Sequence, residues 1–266
     1  MPTLTANGIE IGYEVHGNGR PLVLIAGLGY SRWMWQRMVP GLAAHFQVVA
    51  FDNRGVGESG KPPGPYTAAM LAADTAVLME TLGLENAVVM GHSMGGFVAQ
   101  ALALARPDLV GALALSATNF GGPNHIPVTP AALAVLLDTS ADPVTRFKNG
   151  LGVSTAPGFP EKHPEIIKEW LAWRVANPIE PAPYQAQLAI GLALAQTGFE
   201  DRLTAVACPT LLLFGEHDQV APPGNADLLA AKIPNSAIKI IPDAGHFFPM
   251  ETPNAAVTAV VAFAVD

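Results

Sequence analysis

A single cysteine, Cys208, occurs among 266 residues, so the chain cannot hold an internal disulfide framework or a multi-cysteine zinc site. That fits a reducing compartment. Charge is also scarce. Asp, Glu, Lys and Arg make up 14% of the sequence and the net charge is −8. No cluster of Lys or Arg interrupts this acidic balance, which argues against nucleic acid or an anionic membrane as a partner. No apolar run reaches the roughly 20 residues that span a bilayer. The most extended one, residues 98–115, is broken by Gln100, Arg106, Pro107 and Asp108. Residues 1–8 lack both a basic and an apolar segment of the kind that forms a signal peptide. The expectation is a soluble, cytoplasmic protein. Half of the residues are hydrophobic, enough to build a full core at this length and to exclude disorder.

What is present is an alternation of short Val-, Ile- and Leu-rich runs with helical patterns, the mark of a mainly parallel sheet covered on both faces. Thr3–Ala6 and 9–15 flank Asn7-Gly8, a two-residue hairpin signal. The runs 21–26, 46–52, 86–91, 111–117, 209–215 and 237–242 show little alternation and read as strands buried on both faces. Thr67 can cap a helix whose Leu71, Thr75, Leu78 and Leu82 share one face, ending at Gly83. Residues 94–106 and 254–265 read as further helices. The rhythm breaks between 119 and 203, where no strand is legible. Helices are expected there over 130–138, 143–149, 164–177 and 183–197, each with Pro in or near its first turn.

One motif stands out against this frame. Gly91-His92-Ser93-Met94-Gly95 fits Gly-x-Ser-x-Gly, and it lies between an expected strand and an expected helix, the setting of a nucleophile elbow. A serine hydroxyl is a weak nucleophile at neutral pH. It needs a base, a carboxylate to orient that base, and N–H donors for the developing oxyanion. The helix beginning behind Ser93 adds a favourable dipole for such an anion.

Three further loops join the elbow. They are Asp52-Asn53-Arg54-Gly55-Val56-Gly57-Glu58-Ser59, Gly215-Glu216-His217-Asp218-Gln219-Val220-Ala221-Pro222, and Asp243-Ala244-Gly245-His246. With these motifs the chain resembles the carboxylesterases and enol-lactonases of the α/β-hydrolase superfamily over nearly its whole length. The resemblance implies an α/β fold with a mostly parallel sheet of about eight strands flanked by helices. The core would be 1–118 and 204–266, and 119–203 an inserted helical cap. It also implies Ser93 as nucleophile, His246 as base and Asp218 as the acid that orients it, in the chain order Ser, Asp, His. The oxyanion donors would be the backbone N–H groups of Leu28 and Met94. Ala26-Gly27-Leu28-Gly29 departs from the family's usual His-Gly-x-x at this place, with Ala26 where His is common.

Other residues read as structural. His92 packs beside the sheet, Asp52 and Arg54 brace a loop, and Cys208 is inert packing. Trp170 and Trp173, from the cap, are the candidates to line a substrate pocket. No metal or organic cofactor is expected. The activity expected is hydrolysis of small to medium, mainly apolar carboxylic esters through an acyl-enzyme on Ser93, with a small-molecule ester as sole partner. Oligomeric state is not legible, and a homodimer would be compatible. Alternatives are an enol-lactonase, which would need a cationic group such as Arg146, Lys148, Lys168 or Arg174 for its carboxylate substrate, and a thioesterase or carbon–carbon bond hydrolase. A non-catalytic ligand receptor on the same scaffold is the reading from a different class.

Overall fold

Eight strands form one sheet in the order β1-β2-β4-β3-β5-β6-β7-β8, in a computed structural model that describes residues 2–265. β1 (Thr3–Ala6) and β2 (Ile9–His16) are the expected hairpin. Asn7 and Gly8 both take positive φ, 47° and 78°, as a two-residue type I′ turn requires. β2 pairs antiparallel with β4 (Phe46–Phe51). From β4 the sheet runs parallel through β3 (Arg20–Ile25), β5 (Ala87–His92), β6 (Val110–Ser116) and β7 (Thr210–Gly215) to β8 (Ser236–Ile241).

Successive side chains on a strand point to opposite faces, so the sheet divides the core in two. Val23, Ile25, Val89, Leu113 and Phe214 pack on one face. Leu22, Leu24, Val88, Met90 and Leu213 pack on the other. Full burial of each such side chain contributes about 1.5–3 kcal/mol, which explains why β5 and β7 carry apolar residues at every position apart from their ends. β8 departs from expectation. The sequence reads as a strand buried on both faces, but β8 is the last strand of the sheet and has a neighbour on one side only. Ile238 and Ile240 are 42% and 36% exposed.

Helix α1 (Ala68–Thr81) starts where Thr67 Oγ1 accepts the Met70 N–H at 3.1 Å and stops before Gly83, which takes φ +63°. α2 (Met94–Ala105) follows β5 directly. Between β6 and β7 lie four longer helices: α3 (Pro130–Leu137), α4 (Pro143–Ser154), α5 (Pro164–Ala176) and α6 (Pro181–Thr197). Each opens on a proline, whose missing N–H would have no partner in a first turn. α4 runs five residues past its expected end because Gly150 does not stop it. A Cβ there would sit 3.3 Å from Val135 Cγ1 of α3, so the glycine serves close helix packing rather than a cap. Helix α7 (Pro253–Val265) closes the chain. No helix among the described residues is long and apolar enough to cross a membrane.

Candidate active site

The chain leaves β5 and turns so sharply that Ser93 takes φ +56°, ψ −120°, a region that costs a non-glycine residue about 1–3 kcal/mol. Three hydrogen bonds hold it there. Ser93 N–H donates to Ser116 O at 2.8 Å, and its carbonyl accepts from Gly96 N–H at 2.8 Å and Thr118 Oγ1 at 2.9 Å. The flanking glycines are required by contact. A Cβ on Gly95 would meet the Ile25 carbonyl oxygen, and one on Gly91 the Gly95 carbonyl. The hydroxyl stands on a half-buried residue at the head of α2 and opens into a cavity.

Asp218 follows β7 and His246 follows β8, and both are buried. His246 Nδ1 lies 2.8 Å from Asp218 Oδ2. An ionised carboxylate only accepts, so Nδ1 carries the proton and Nε2 is left as an acceptor. Asp218 Oδ1 takes the N–H groups of Val220 and Ala221, both at 2.8 Å, which fixes the carboxylate. His246 and Ser93 line the same cavity, with no hydrogen bond between them among the described residues. His92 packs between Trp35 and Phe248, its ring centroid 4.8 Å from that of His246. Burial holds its pKa well below the usual histidine range, and the nearby His246 adds to this.

Residues 27–30 form a turn in which Tyr30 N–H donates to Gly27 O at 3.2 Å and Gly29 takes φ +73°. Neither Leu28 N–H nor Met94 N–H donates to any described residue, and both residues line the cavity beside Ser93. The turn is braced from several directions. Asn53 Nδ2 donates to Ala26 O at 3.1 Å. Asn53 is itself carried between two buried charges: Asp52, paired with Arg32, and Arg54, which holds Asp74 through two bonds of 2.6 Å. Asp52 and Arg54 thus brace the loop below the turn.

The cavity encloses about 270 Å³ between the strand ends and α3–α6. Its walls are mainly apolar, with Phe97, Phe147, Leu188 and Phe247 among them. Neither Trp170 nor Trp173 reaches it. Trp170 is fully buried behind the wall, stacked on Phe159 at 5.6 Å, and Trp173 packs against Trp33 at 5.9 Å. These tryptophans pack α5 against its neighbours instead of lining the pocket, which corrects the expectation. Of the four cationic candidates for a carboxylate substrate, Arg146 and Arg174 line the cavity at 8% and 4% exposure, while Lys148 and Lys168 are exposed and do not reach it. Neither arginine forms an ion pair among the described residues, and the Nε of each is buried without a partner. Arg146 lies 4.1 Å over the Tyr184 ring, and Arg174 4.6 Å over that of Tyr30.

Glu251 lies outside every motif of the sequence. Its carboxyl accepts Ala156 N–H at 2.7 Å and Gly245 N–H at 3.0 Å, joining the end of the α4 segment to the loop that carries His246. Burial pushes its pKa up to about 7, the Asp218 charge adds, and the two N–H donors oppose. Glu216, His217 and Asp243 bring ligand-capable atoms within 4.8 Å of one another at the surface, away from the cavity wall.

A serine held in a strand-to-helix elbow, with an aspartate and a histidine paired on loops after later strands of a parallel sheet, is an arrangement found in a class of hydrolases. The chain belongs to the alpha/beta hydrolase fold family, which it matches over residues 20–253. It is 33% identical over 259 residues to the Mycobacterium tuberculosis protein named "Putative non-heme bromoperoxidase BpoC", covering 96% of this chain and 97% of that one. Among solved structures it is similar to a thermophilic esterase from Thermogutta terrifontis, at 32% identity, a TM-score of 0.80, and 98% and 95% coverage. It is also similar to the enol-lactonase from Burkholderia xenovorans LB400, at 27% identity, a TM-score of 0.84 and complete coverage of both chains.

Proposed function

We propose that this hydrolase cleaves small to medium, mainly apolar carboxylic esters through an acyl-enzyme on Ser93. The observation that carries the reading is the His246 Nδ1–Asp218 Oδ2 bond of 2.8 Å, which holds His246 in the wall of the cavity that Ser93 also lines. Ser93 Oγ attacks the ester carbonyl and His246 Nε2 takes its proton. The Leu28 and Met94 N–H groups receive the oxyanion. The tetrahedral species collapses, the alcohol leaves with the proton from His246, and water then releases the acid by the same steps in reverse. The apolar walls and the cavity volume support a short acyl or alcohol chain. The test is turnover of p-nitrophenyl butyrate by the wild type and by Ser93→Ala. The expected loss is on the order of 10³-fold or more. Full activity in Ser93→Ala would remove the reading, and fluorophosphonate labelling followed by steady turnover would exclude a mere receptor.

A second reading is favoured by Arg146 and Arg174. Two buried guanidinium groups without counter-ions suit a substrate that carries a carboxylate, such as an enol-lactone, opened by the same acyl chemistry. Parallel assays on a simple ester, an acyl-CoA and a carboxylate-bearing lactone separate the two.

A further inference from the structure

We infer that Gln187 and Arg174, two side chains of the cap, are positioning residues that latch the oxyanion loop in its working shape. The inference rests on the Ser93 acyl-enzyme reading and concerns Gly29, the third residue of the turn that presents the Leu28 N–H. Gln187 Oε1 accepts the Gly29 N–H at 2.9 Å, and Arg174 Nη1 donates to the Gly29 carbonyl at 2.9 Å. The two peptide groups that flank Gly29 are therefore each tied to a different cap helix, α6 and α5.

The latch is anchored at its far end. Gln187 Nε2 donates to the Arg54 carbonyl at 2.8 Å, and the Arg54 side chain is fixed by its twin bonds to Asp74. Gln187 is fully buried, which shields both bonds from bulk solvent. The ring of Tyr184, one turn earlier on α6, would lie 3.1 Å from a Cβ on Gly29, so the cap also presses directly on the turn.

The physical need is plain in the turn itself. A turn with positive φ at its third residue but not its second is type II, and a flip of its central peptide converts it to type I. The Leu28–Gly29 peptide is that central peptide, and its N–H is the group Gln187 holds. Asn53 fixes the preceding Ala26 carbonyl, so the Leu28 N–H sits between two anchored peptides. Ala26 has no side-chain donor or acceptor to brace the loop from within. Support comes from the cap instead.

The experiment measures kcat and KM for p-nitrophenyl butyrate, together with the affinity of butaneboronate, whose adduct with Ser93 places an anionic oxygen where the oxyanion forms. In Gln187→Met, a near-isostere without either bond, kcat is expected to fall about 10- to 100-fold. Boronate affinity should fall by the same factor, with KM within about twofold of the wild type. Arg174→Met should behave alike, and Arg174→Lys, which keeps a donor for the Gly29 carbonyl, should recover most of the loss. This second pair reads the latch independently of whether Gln187→Met folds. A rise in KM with kcat and boronate affinity unchanged would overturn the proposal and leave the cap a substrate wall only. So would a Lys variant no better than Met. Persistence of full turnover in Ser93→Ala defeats the acyl-enzyme reading. Ser93-dependent turnover that survives both Met variants undiminished defeats the latch alone.

Discussion

In the sheet, Ser93, Asp218 and His246 are held by partners within 28 residues along the chain, whereas Gln187 and Arg174 of the cap bond a turn more than a hundred residues away. Ser93 owes its position to a turn between β5 and α2, and Asp218 to N–H groups two and three residues on. Arg174 and Gln187 reach Gly29 across 145 and 158 residues of chain. Local placement makes a site robust and repeatable. Distant placement lets one segment tune another, at the risk that a single substitution disconnects them.

The largest expected effect lies on the sheet side. Asp218→Asn removes the charge that orients His246 and should lower kcat on the order of 10⁴-fold. The loss should be equal for charged and neutral esters, and a loss that depended on substrate charge would break the division between a core that reacts and a cap that selects. Next comes the seam, where Glu251 joins the α4 segment to the His246 loop. Its folded pKa of about 7 lies above its ordinary 4.5, so the folded state binds the proton more tightly than the unfolded one. The stability this gives is complete below pH 4.5 and is lost as pH rises through 7. Urea unfolding at pH 5 and pH 8 should show a drop of roughly 2–3 kcal/mol from this group, absent in Glu251→Gln. Equal slopes in both proteins would refute it. The smallest effect belongs to the cap alone. Arg146→Met should lower the ratio of kcat/KM for monomethyl glutarate over methyl valerate about tenfold, the scale of one charge-assisted bond, with Arg146→Lys in between. An unchanged ratio would leave Arg146 as scaffold.

The same contrast governs what the sequence reveals. The parallel strands are legible because burial on both faces forces unbroken apolar runs, and the elbow because its glycines are demanded by backbone contacts. β8 misleads, since an apolar run does not report that a strand is the last in its sheet. Trp170 and Trp173 mislead for a related reason: size and apolarity suit a hidden cap core as well as a pocket wall. The latch residues left a faint trace. Arg174 falls one turn after buried Trp170 on α5, and Gln187 sits amid the buried positions of α6. A polar residue on a buried stripe marks an unmet bond, but the partner, a backbone carbonyl or N–H in a distant loop, has no signature in residue type. Glu251 is invisible in the same way, since its partners are two peptide N–H groups.

The insertion of α3–α6 between β6 and β7 gives the molecule a modular look, as if the block could be exchanged for another to change substrate range. The bonds to Gly29 set the terms of such a transplant. A foreign cap joined cleanly at both ends would leave every strand in register and still deliver a sluggish catalyst, unless the graft also brought an amide and a cation to the two sides of one glycine.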